Sequence, residues 1–293
     1  MKNKYALISP VLIVLTLFIT STAHAEKWLI ETTWLGQHLT DKNIVLIDMS
    51  DSIQYQRFHI PGAIHLPYSI LNKRNKKGVS LSVNTKQIVH FLGLLGITRK
   101  HHVIIYDDMG GLNAARLFWE LQRLKHEKIS ILNGGLVQWI LEGRKVSAKA
   151  TEPKAVKYQI SEPQSISLLA RLDDIKRNKA TLLDVRSHEE YLGHPRQKRS
   201  GHIPHAKWWN WEQSVDFDNG FKQKKTAELL ESLKQLGVTS KKQPVIVYCR
   251  SGHRASQSYF TLRSLGFNNV KIYDASMAEY QQTSLPLKKG MNP

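Results

Sequence analysis

The chain has 293 residues and carries 42 Lys and Arg against 24 Asp and Glu, a formal net charge of +18. Its single cysteine excludes an intramolecular disulfide framework and any zinc or iron–sulfur site that needs several cysteines. The length predicts roughly two domains of about 100–150 residues, each large enough to bury its own core.

Residues 1–25 are predicted to be a secretory signal peptide. Lys2 and Lys4 precede an apolar stretch over 6–20, and residues 23–25 (AHA) supply the small-x-small pattern of a cleavage site. The stretch is short for a bilayer span, which needs about 20 apolar residues, and an uncleaved N-terminal anchor is the alternative. We therefore expect an exported, periplasmic protein that begins near Glu26 and has no stable membrane insertion.

The remaining chain contains two copies of one pattern, about 140 residues apart. The matched segments are 46–50 with 182–186, 59–63 with 202–206, 103–107 with 245–249, and 132–134 with 273–275. Two copies at such a long period indicate a duplicated domain and not a solenoid.

Each copy alternates short apolar strands with helical patterns. The predicted elements are 44–47, 85–95, 103–106, 113–124 and 129–132 in the first copy, and 181–185, 226–236, 244–248, 255–265 and 270–273 in the second. The continuous apolar run at 244–248 is typical of a strand buried on both faces. This alternation predicts an α/β protein of two tandem domains, each a mainly parallel sheet flanked by helices.

The predicted domain boundaries follow from the point where this periodicity stops. Pro153 and Pro163 interrupt the pattern between the two copies. We therefore assign the first domain to 26–150, a linker to 151–165 and the second domain to 166–293.

One loop of the second copy carries the candidate chemistry. Residues 249–254 (CRSGHR) lie between a predicted buried strand and a helix, where ligands bind in open α/β sheets. We expect the side chains of Arg250, His253 and Arg254 to be cationic. Together with the N-terminus of the helix, they would stabilise an anion. We therefore expect Cys249 to be a nucleophilic thiolate, with a buried, inert cysteine as the alternative.

Phosphatase or arsenate chemistry is a second alternative, because a thiolate loop that ends in arginine can hold phosphate. Cysteine phosphatases resemble C-x5-R, whereas four residues separate Cys249 from Arg254. The shorter loop has room for about one sulfur atom and not for a tetrahedral oxyanion.

The Cys249 loop, the segments 182–186 (LLDVR) and 201–204 (GHIP), and the duplication resemble the rhodanese family of sulfurtransferases over residues 30–285. The resemblance implies a rhodanese fold in each copy, an active second domain and a silent first domain. Asp107 takes the position of Cys249 in the first copy and cannot carry a sulfane sulfur. A carboxylate at a helix N-terminus also needs no function.

The resemblance implies a two-step reaction without metal or cofactor. The Cys249 thiolate would take the outer sulfur of a small anionic donor such as thiosulfate, releasing sulfite and leaving a persulfide. Cyanide or a thiol acceptor would then remove the sulfur. The 13 histidines show no recognisable metal-binding pattern.

Candidate substrate-binding residues are cations and hydrogen-bond donors near the loop. Arg186 comes first because it matches the family's substrate-binding arginine. The insert 194–200 offers Arg196 or Arg199, for which a solvated loop charge is the alternative reading. The loop itself supplies Arg250, Ser251, Gly252, His253 and Arg254.

The donor is the open point. Thiosulfate enzymes of the family resemble Cys-Arg-Lys-Gly-Val-Thr at the loop, and mercaptopyruvate enzymes resemble Cys-Gly-Ser-Gly-Val-Thr. This loop shares Arg250 with the first pattern and Ser251 with the second. We expect thiosulfate because several cations suit a dianion. The alternatives are 3-mercaptopyruvate, or a persulfide carrier or sensor that does not turn over.

The positive charge does not predict a nucleic-acid partner. Residues 26–150 carry 17 basic and 10 acidic residues, and 151–293 carry 23 and 14. The surplus is therefore shared between the two copies and not concentrated in one arm or helix, as nucleic-acid binding favours.

Overall fold

The computed structural model describes residues 28–160 and 168–292. The predicted signal peptide at 1–25 and positions 161–165 of the predicted linker lie outside the described residues. The described part of the linker, 151–160, contains neither helix nor strand and lies along the first domain. There the buried Tyr158 bonds through its hydroxyl to His126 Nδ1 (2.9 Å).

The two domains contain matching sets of elements. In chain order the first has β1 (Leu29–Ile30), α1 (Thr32–His38), β2 (Ile44–Asp48), α2 (Ser52–Arg57), β3 (Ile64–His65), a 3-10 turn (Tyr68–Leu71), β4 (Asn72–Arg74), β5 (Ser80–Ser82), α3 (Thr85–Leu94), β6 (His102–Tyr106), α4 (Ala114–Arg123), β7 (Ile129–Leu132) and α5 (Gly135–Leu141). The second has β8 (Leu169–Ala170), α6 (Leu172–Arg177), β9 (Thr181–Asp184), α7 (His188–Leu192), β10 (Lys207–Trp208), a 3-10 turn (Trp211–Ser214), β11 (Val215–Asp216), β12 (Lys222–Gln223), α8 (Thr226–Gln235), β13 (Val245–Tyr248), α9 (His253–Ser264), β14 (Val270–Tyr273) and α10 (Ser276–Tyr280).

Both main sheets are parallel and have the same strand order. The first runs β1-β7-β6-β2-β3, and the second, taken in the matching direction, runs β8-β14-β13-β9-β10. An antiparallel hairpin accompanies each sheet, β4–β5 in the first domain and β11–β12 in the second. The predicted α/β class and the duplication are therefore confirmed.

The apolar pattern of each element explains its place in a layer. All four residues of β13 are buried, as its uninterrupted apolar run predicts for a strand covered on both faces. Helix α8 buries Leu229 and Leu233, four residues apart on one face. Helix α3 begins at a capping box, in which Asn84 Oδ1 accepts from Gln87 N (3.0 Å) and Gln87 Oε1 from Asn84 N (3.2 Å).

The two domains pack together through α4 and α9, which share one continuous core. The rings of Phe118 and Phe260 meet edge to face across this interface, with centroids 4.9 Å apart. Beside them, Arg116 Nη1 of the first domain donates to Asp274 Oδ1 of the second (2.6 Å). In the described residues, no helix is both long and apolar enough to cross a bilayer.

Candidate active site

The Cys249 loop follows β13 at the carboxyl edge of the sheet, where the sequence places it. The N–H of Cys249 donates to Ser276 Oγ (3.1 Å). The carbonyls of Cys249 and Arg250 accept from the N–H groups of Met277 (3.1 Å) and Ala278 (3.0 Å). The start of α10 therefore fixes the backbone on both sides of the sulfur.

The sulfur faces the N-terminal end of α9. The N–H of Ser251 donates to Cys249 Sγ (3.4 Å), and the side chain of Cys249 is buried, with 1% of it exposed. Gly252 has a φ of +81°, and a Cβ there would lie 2.2 Å from Asp274 Oδ1. Only glycine fits this turn, which leads from the Ser251 N–H on the sulfur into the first residue of α9, His253.

Arg254 stands beside Cys249 and is paired with a carboxylate. Its Nη1 and Nη2 donate to Glu190 Oε2 (2.6 Å) and Oε1 (3.0 Å). A capping box at the start of α7 positions Glu190, since Ser187 Oγ accepts from its N–H (3.3 Å). Burial lowers the pKa of Arg254, but Glu190 and the charge of Cys249 raise it by more, so the guanidinium stays charged.

Arg186 is buried and held by acceptors of its own domain. Its Nε and Nη2 donate to Asp184 Oδ1 (2.9 Å) and Oδ2 (2.6 Å), and Nη2 also donates to the carbonyl of Gly201 (2.9 Å). Burial lowers the pKa of Arg186, whereas the bonds and charge of Asp184 raise it by more. Asp184 thus orients the predicted substrate-binding arginine and also accepts from its backbone N–H (3.1 Å).

His253 does not add the positive charge that the sequence analysis expected. Burial, with the nearby charges of Arg116 and Arg254, lowers its pKa to about 4, so its imidazole is neutral at neutral pH. Its Nε2 bonds to Asn113 Oδ1 (2.7 Å), and its ring stacks on Tyr68 with centroids 3.9 Å apart. Three of these four neighbours belong to the other domain, so the neutral state of His253 could not be predicted from the residues around it in the chain.

The two arginines of the insert have different surroundings. Arg199 donates to carbonyls at the end of α10 and just after it, at Tyr280 (3.3 Å), Gln281 (3.3 Å) and Leu285 (2.8 Å). Its guanidinium therefore holds a loop of its own domain. Arg196 is exposed and does not line the cavities beside Cys249. Its role in donor binding stays a prediction.

Two cavities adjoin the Cys249 loop. The insert cavity, about 440 Å³, lies between the loop and the insert and is lined by residues that include Arg186, Glu190 and Arg250. The interdomain cavity, about 650 Å³, is lined by residues of both domains. Arg250 lines both cavities and is exposed. It forms no ion pair with another described residue.

In the first domain, the side-chain carboxylate of Asp107 occupies the centre of the equivalent loop. Asp107 is buried, with 1% exposed, and accepts four backbone hydrogen bonds. The donors are Met109 (2.9 Å) and Gly111 (2.9 Å) to Oδ1, and Asn113 (2.7 Å) and Ala114 (2.9 Å) to Oδ2. Burial raises the pKa of Asp107, and these four N–H groups oppose that shift. Four donors and no acceptor suit an ionised carboxylate, so this loop shows an anion held by backbone N–H groups.

Tyr68, Asn113 and Arg116 reach the site from the first domain and were not among the predicted site residues. The duplication could have indicated Asn113, because α4 and α9 are corresponding helices of the two copies. Pairing them across the interface brings Asn113, which precedes α4, close to His253, which begins α9. In residues 28–160 and 168–292, no group of three or more His, Cys, Asp or Glu side chains is arranged to hold a metal ion.

Comparisons with known proteins identify the family of the chain. The sequence family described as the rhodanese-like domain matches this chain twice, at residues 31–142 and 167–283. The sulfur carrier protein TtuD of Thermus thermophilus is 32% identical over 289 residues, which cover 92% of this chain and 98% of that protein. A protein of Mycobacterium leprae, provisionally named a thiosulfate sulfurtransferase, is 32% identical over 276 residues, covering 89% and 98%.

A solved structure shows the same arrangement of two domains. The crystal structure of SseA from Escherichia coli, described with the fold and mechanism of 3-mercaptopyruvate sulfotransferases, has a TM-score of 0.74 and 26% identity. The match covers 86% of this chain and 99% of SseA. The predicted tandem of rhodanese-like domains is confirmed, and the chain belongs to the rhodanese family of sulfurtransferases.

Proposed function

We propose that the protein moves a sulfane sulfur from thiosulfate to cyanide or a thiol through a persulfide on Cys249. The observation that carries this proposal is the position of the sulfur. Cys249 Sγ accepts the N–H of Ser251, two residues before a 12-residue helix, and lies close to the charged Arg254. A hydrogen-bond donor and a positive charge at this position suit the anionic sulfur of a persulfide.

The first step exchanges one sulfur–sulfur bond for another. The Cys249 thiolate attacks the outer sulfur of thiosulfate, the bond between the two sulfur atoms of the donor breaks, and sulfite leaves with the electron pair. The persulfide then carries one negative charge and sulfite carries two, as the thiolate and thiosulfate did. The exposed Arg250 is placed to attract the donor and to stabilise the departing sulfite.

The charge of the insert cavity bears on the choice of donor. Two arginines line the insert cavity. Arg186 forms an ion pair with Asp184, whereas Arg250 forms no ion pair with another described residue. A site with few unpaired cations also suits a monoanionic keto acid. The likeness to SseA makes 3-mercaptopyruvate the second candidate donor.

The test is the formation of thiocyanate from thiosulfate and cyanide, with 3-mercaptopyruvate offered in parallel. We expect turnover by the wild type and none by Cys249→Ser, because a hydroxyl cannot become the sulfur-carrying anion. The free energies of unfolding by urea should agree within about 0.5 kcal/mol, which excludes misfolding as the cause. Equal turnover by both proteins would overturn the proposal.

A persulfide carrier without turnover is the remaining alternative. Both readings predict a mass increase of about 32 Da, one sulfur atom, after exposure to the donor. Only an enzyme releases many equivalents of thiocyanate or persulfide product for each protein chain. The number of equivalents released therefore separates the two.

We further propose that the protein is exported and acts in the periplasm, on the support of the pattern at 1–25. N-terminal sequencing of the protein recovered from an expressing cell would be expected to start at Glu26. A preparation that retains residues 1–25 would instead favour the uncleaved anchor.

A further inference from the structure

The two cavities beside Arg250 differ in charge. The insert cavity includes Glu189 and Glu190 as well as Arg186, and both Glu190 and Arg186 are already in ion pairs. The lining of the interdomain cavity includes Arg74 and Arg250 and no Asp or Glu. The interdomain cavity is therefore the one with an unopposed positive charge.

Arg74 belongs to a basic hairpin at the rim of the interdomain cavity. The hairpin β4–β5 and its turn carry Lys73, Arg74, Lys76 and Lys77, all exposed. None of the four forms an ion pair with another described residue. Exposed, unpaired cations around a concave surface raise the local concentration of anions.

The hairpin is held in place by the second domain. Gln282 Nε2 donates to the carbonyl of Lys77 (3.0 Å), and the N–H of Ser82 donates to Asp274 Oδ2 (2.8 Å). The same cavity is lined by Ser251, whose N–H bonds to Cys249 Sγ. The positive rim and the reacting sulfur therefore belong to one fixed arrangement.

The second half of the reaction needs positive charge. The persulfide is an anion and the attacking thiolate is another, so the two repel each other unless cations lie nearby. At about 650 Å³ the interdomain cavity is also far larger than cyanide needs and falls in the range of sites for organic ligands, about 300–1,000 Å³.

We propose that the interdomain cavity is the acceptor site and binds a small thiol that carries carboxylates, with Arg74 and Arg250 as its partners. This inference rests on the proposed sulfur transfer and names its acceptor class. The acceptor thiolate attacks the outer sulfur of the persulfide and forms a new sulfur–sulfur bond. The bond to Cys249 Sγ breaks, its electron pair returns to the thiolate, and the acceptor leaves as a persulfide.

The test compares an anionic with a neutral thiol acceptor at fixed thiosulfate. Mercaptosuccinate carries two carboxylates, and 1-thioglycerol carries none. In Arg74→Gln we expect the KM for mercaptosuccinate to rise on the order of fivefold, and the KM for 1-thioglycerol to change by less than about twofold. Added salt should reduce the wild-type preference for mercaptosuccinate, since the attraction is electrostatic.

The matched control is Arg57→Gln, the same change at an exposed arginine of α2 outside both cavities. It should leave both KM values as in the wild type. Equal KM changes for the two thiols in Arg74→Gln, or no change for either, would overturn the acceptor site. Failure of the wild type to form thiocyanate from thiosulfate and cyanide would instead overturn the proposed function, so the two failures are distinguishable.

Discussion

At the scale of single residues, His253 shows how neighbours decide what a side chain contributes. Its position beside Cys249 favours a cation, yet it is neutral. Burial and the adjacent Arg116 and Arg254 oppose a further positive charge, and a neutral ring can still donate to Asn113 Oδ1. His253 therefore acts as a contact between the domains, and the charge near the thiol comes from the arginines.

The low pKa of His253 makes the free energy of unfolding depend on pH. His253 has a pKa of about 4 in the folded protein against about 6.5 in the unfolded chain. The unfolded chain therefore binds more protons between these values, and stability is lost as the pH falls through that window. From pH 7 to pH 5 the free energy of unfolding should fall by about 2 kcal/mol through this residue.

Urea unfolding at the two pH values, for wild type and His253→Gln, measures this contribution. The variant should lose most of that part of the pH dependence, whereas His90→Gln, at an exposed position of α3, should keep it. An identical pH dependence in His253→Gln and the wild type would contradict the assignment.

The sequence located Cys249 and its loop because a strand, a loop and a helix are consecutive in the chain. It could not predict the charge of His253, because Tyr68, Asn113 and Arg116 lie in the other domain. Contacts of that kind depend on how the two copies pack, and a single sequence does not state this.

At the scale of elements, the two copies of one loop hold an anion in different ways. In the first domain the anion is the side chain of Asp107, with four backbone N–H groups around it. In the second domain the corresponding residue is Cys249, which becomes an anion when it loses its proton. The same place between strand and helix therefore holds a carboxylate with four backbone donors in one copy and the proposed reactive thiol in the other.

Asp107→Asn tests this interpretation. An amide offers one acceptor atom where the carboxylate offers two, and its N–H₂ would face N–H donors. We expect a loss of about 2–3 kcal/mol in the free energy of unfolding by urea. The control Asp108→Asn, at a half-buried neighbour whose carboxylate bonds to its own backbone N–H, should cost less than about 1 kcal/mol. Equal costs for the two variants would show that the four hydrogen bonds do not contribute to stability.

Element length explains which parts of the fold could be predicted. The ten-residue helices α3, α4 and α8 span nearly three turns, so their apolar periodicity is visible. Helices α2 and α7 have six and five residues, and their periodicity is too short to recognise. Helix α9 begins at His253, two residues before the predicted start at 255, because the turn at Gly252 lets it begin sooner.

At the scale of the whole molecule, a buried ion pair joins the domains. Arg116 is fully buried and Asp274 is 3% exposed, and they are 2.6 Å apart. Asp274 also lies against Gly252 of the Cys249 loop. The pair therefore links the position of the first domain to the shape of the loop that carries the sulfur.

Asp274→Asn should show how much this pair contributes. Removing Asp274 leaves the buried charge of Arg116 with the carboxylate of Glu120, whose Oε1 lies 3.6 Å from Nε, and we expect a cost of about 3 kcal/mol, measured by urea unfolding. The control Asp173→Asn breaks the exposed pair with Lys176 and should cost less than about 1 kcal/mol. A cost for Asp274→Asn no larger than that of the control would contradict a structural role for the pair.

The spacing around the carboxylate of Asp107 limits what a single mutation could change in the first loop. Six residues separate Asp107 from α4, whereas three separate Cys249 from α9. A mutation of Asp107 to cysteine would put a thiol into a wider turn without the arginines of the second loop, and would remove an acceptor that four donors need. Giving the first loop the spacing and the arginines of the second would thus require a deletion and several substitutions together. A single substitution at Asp107 therefore cannot reproduce the surroundings of Cys249 in the first half.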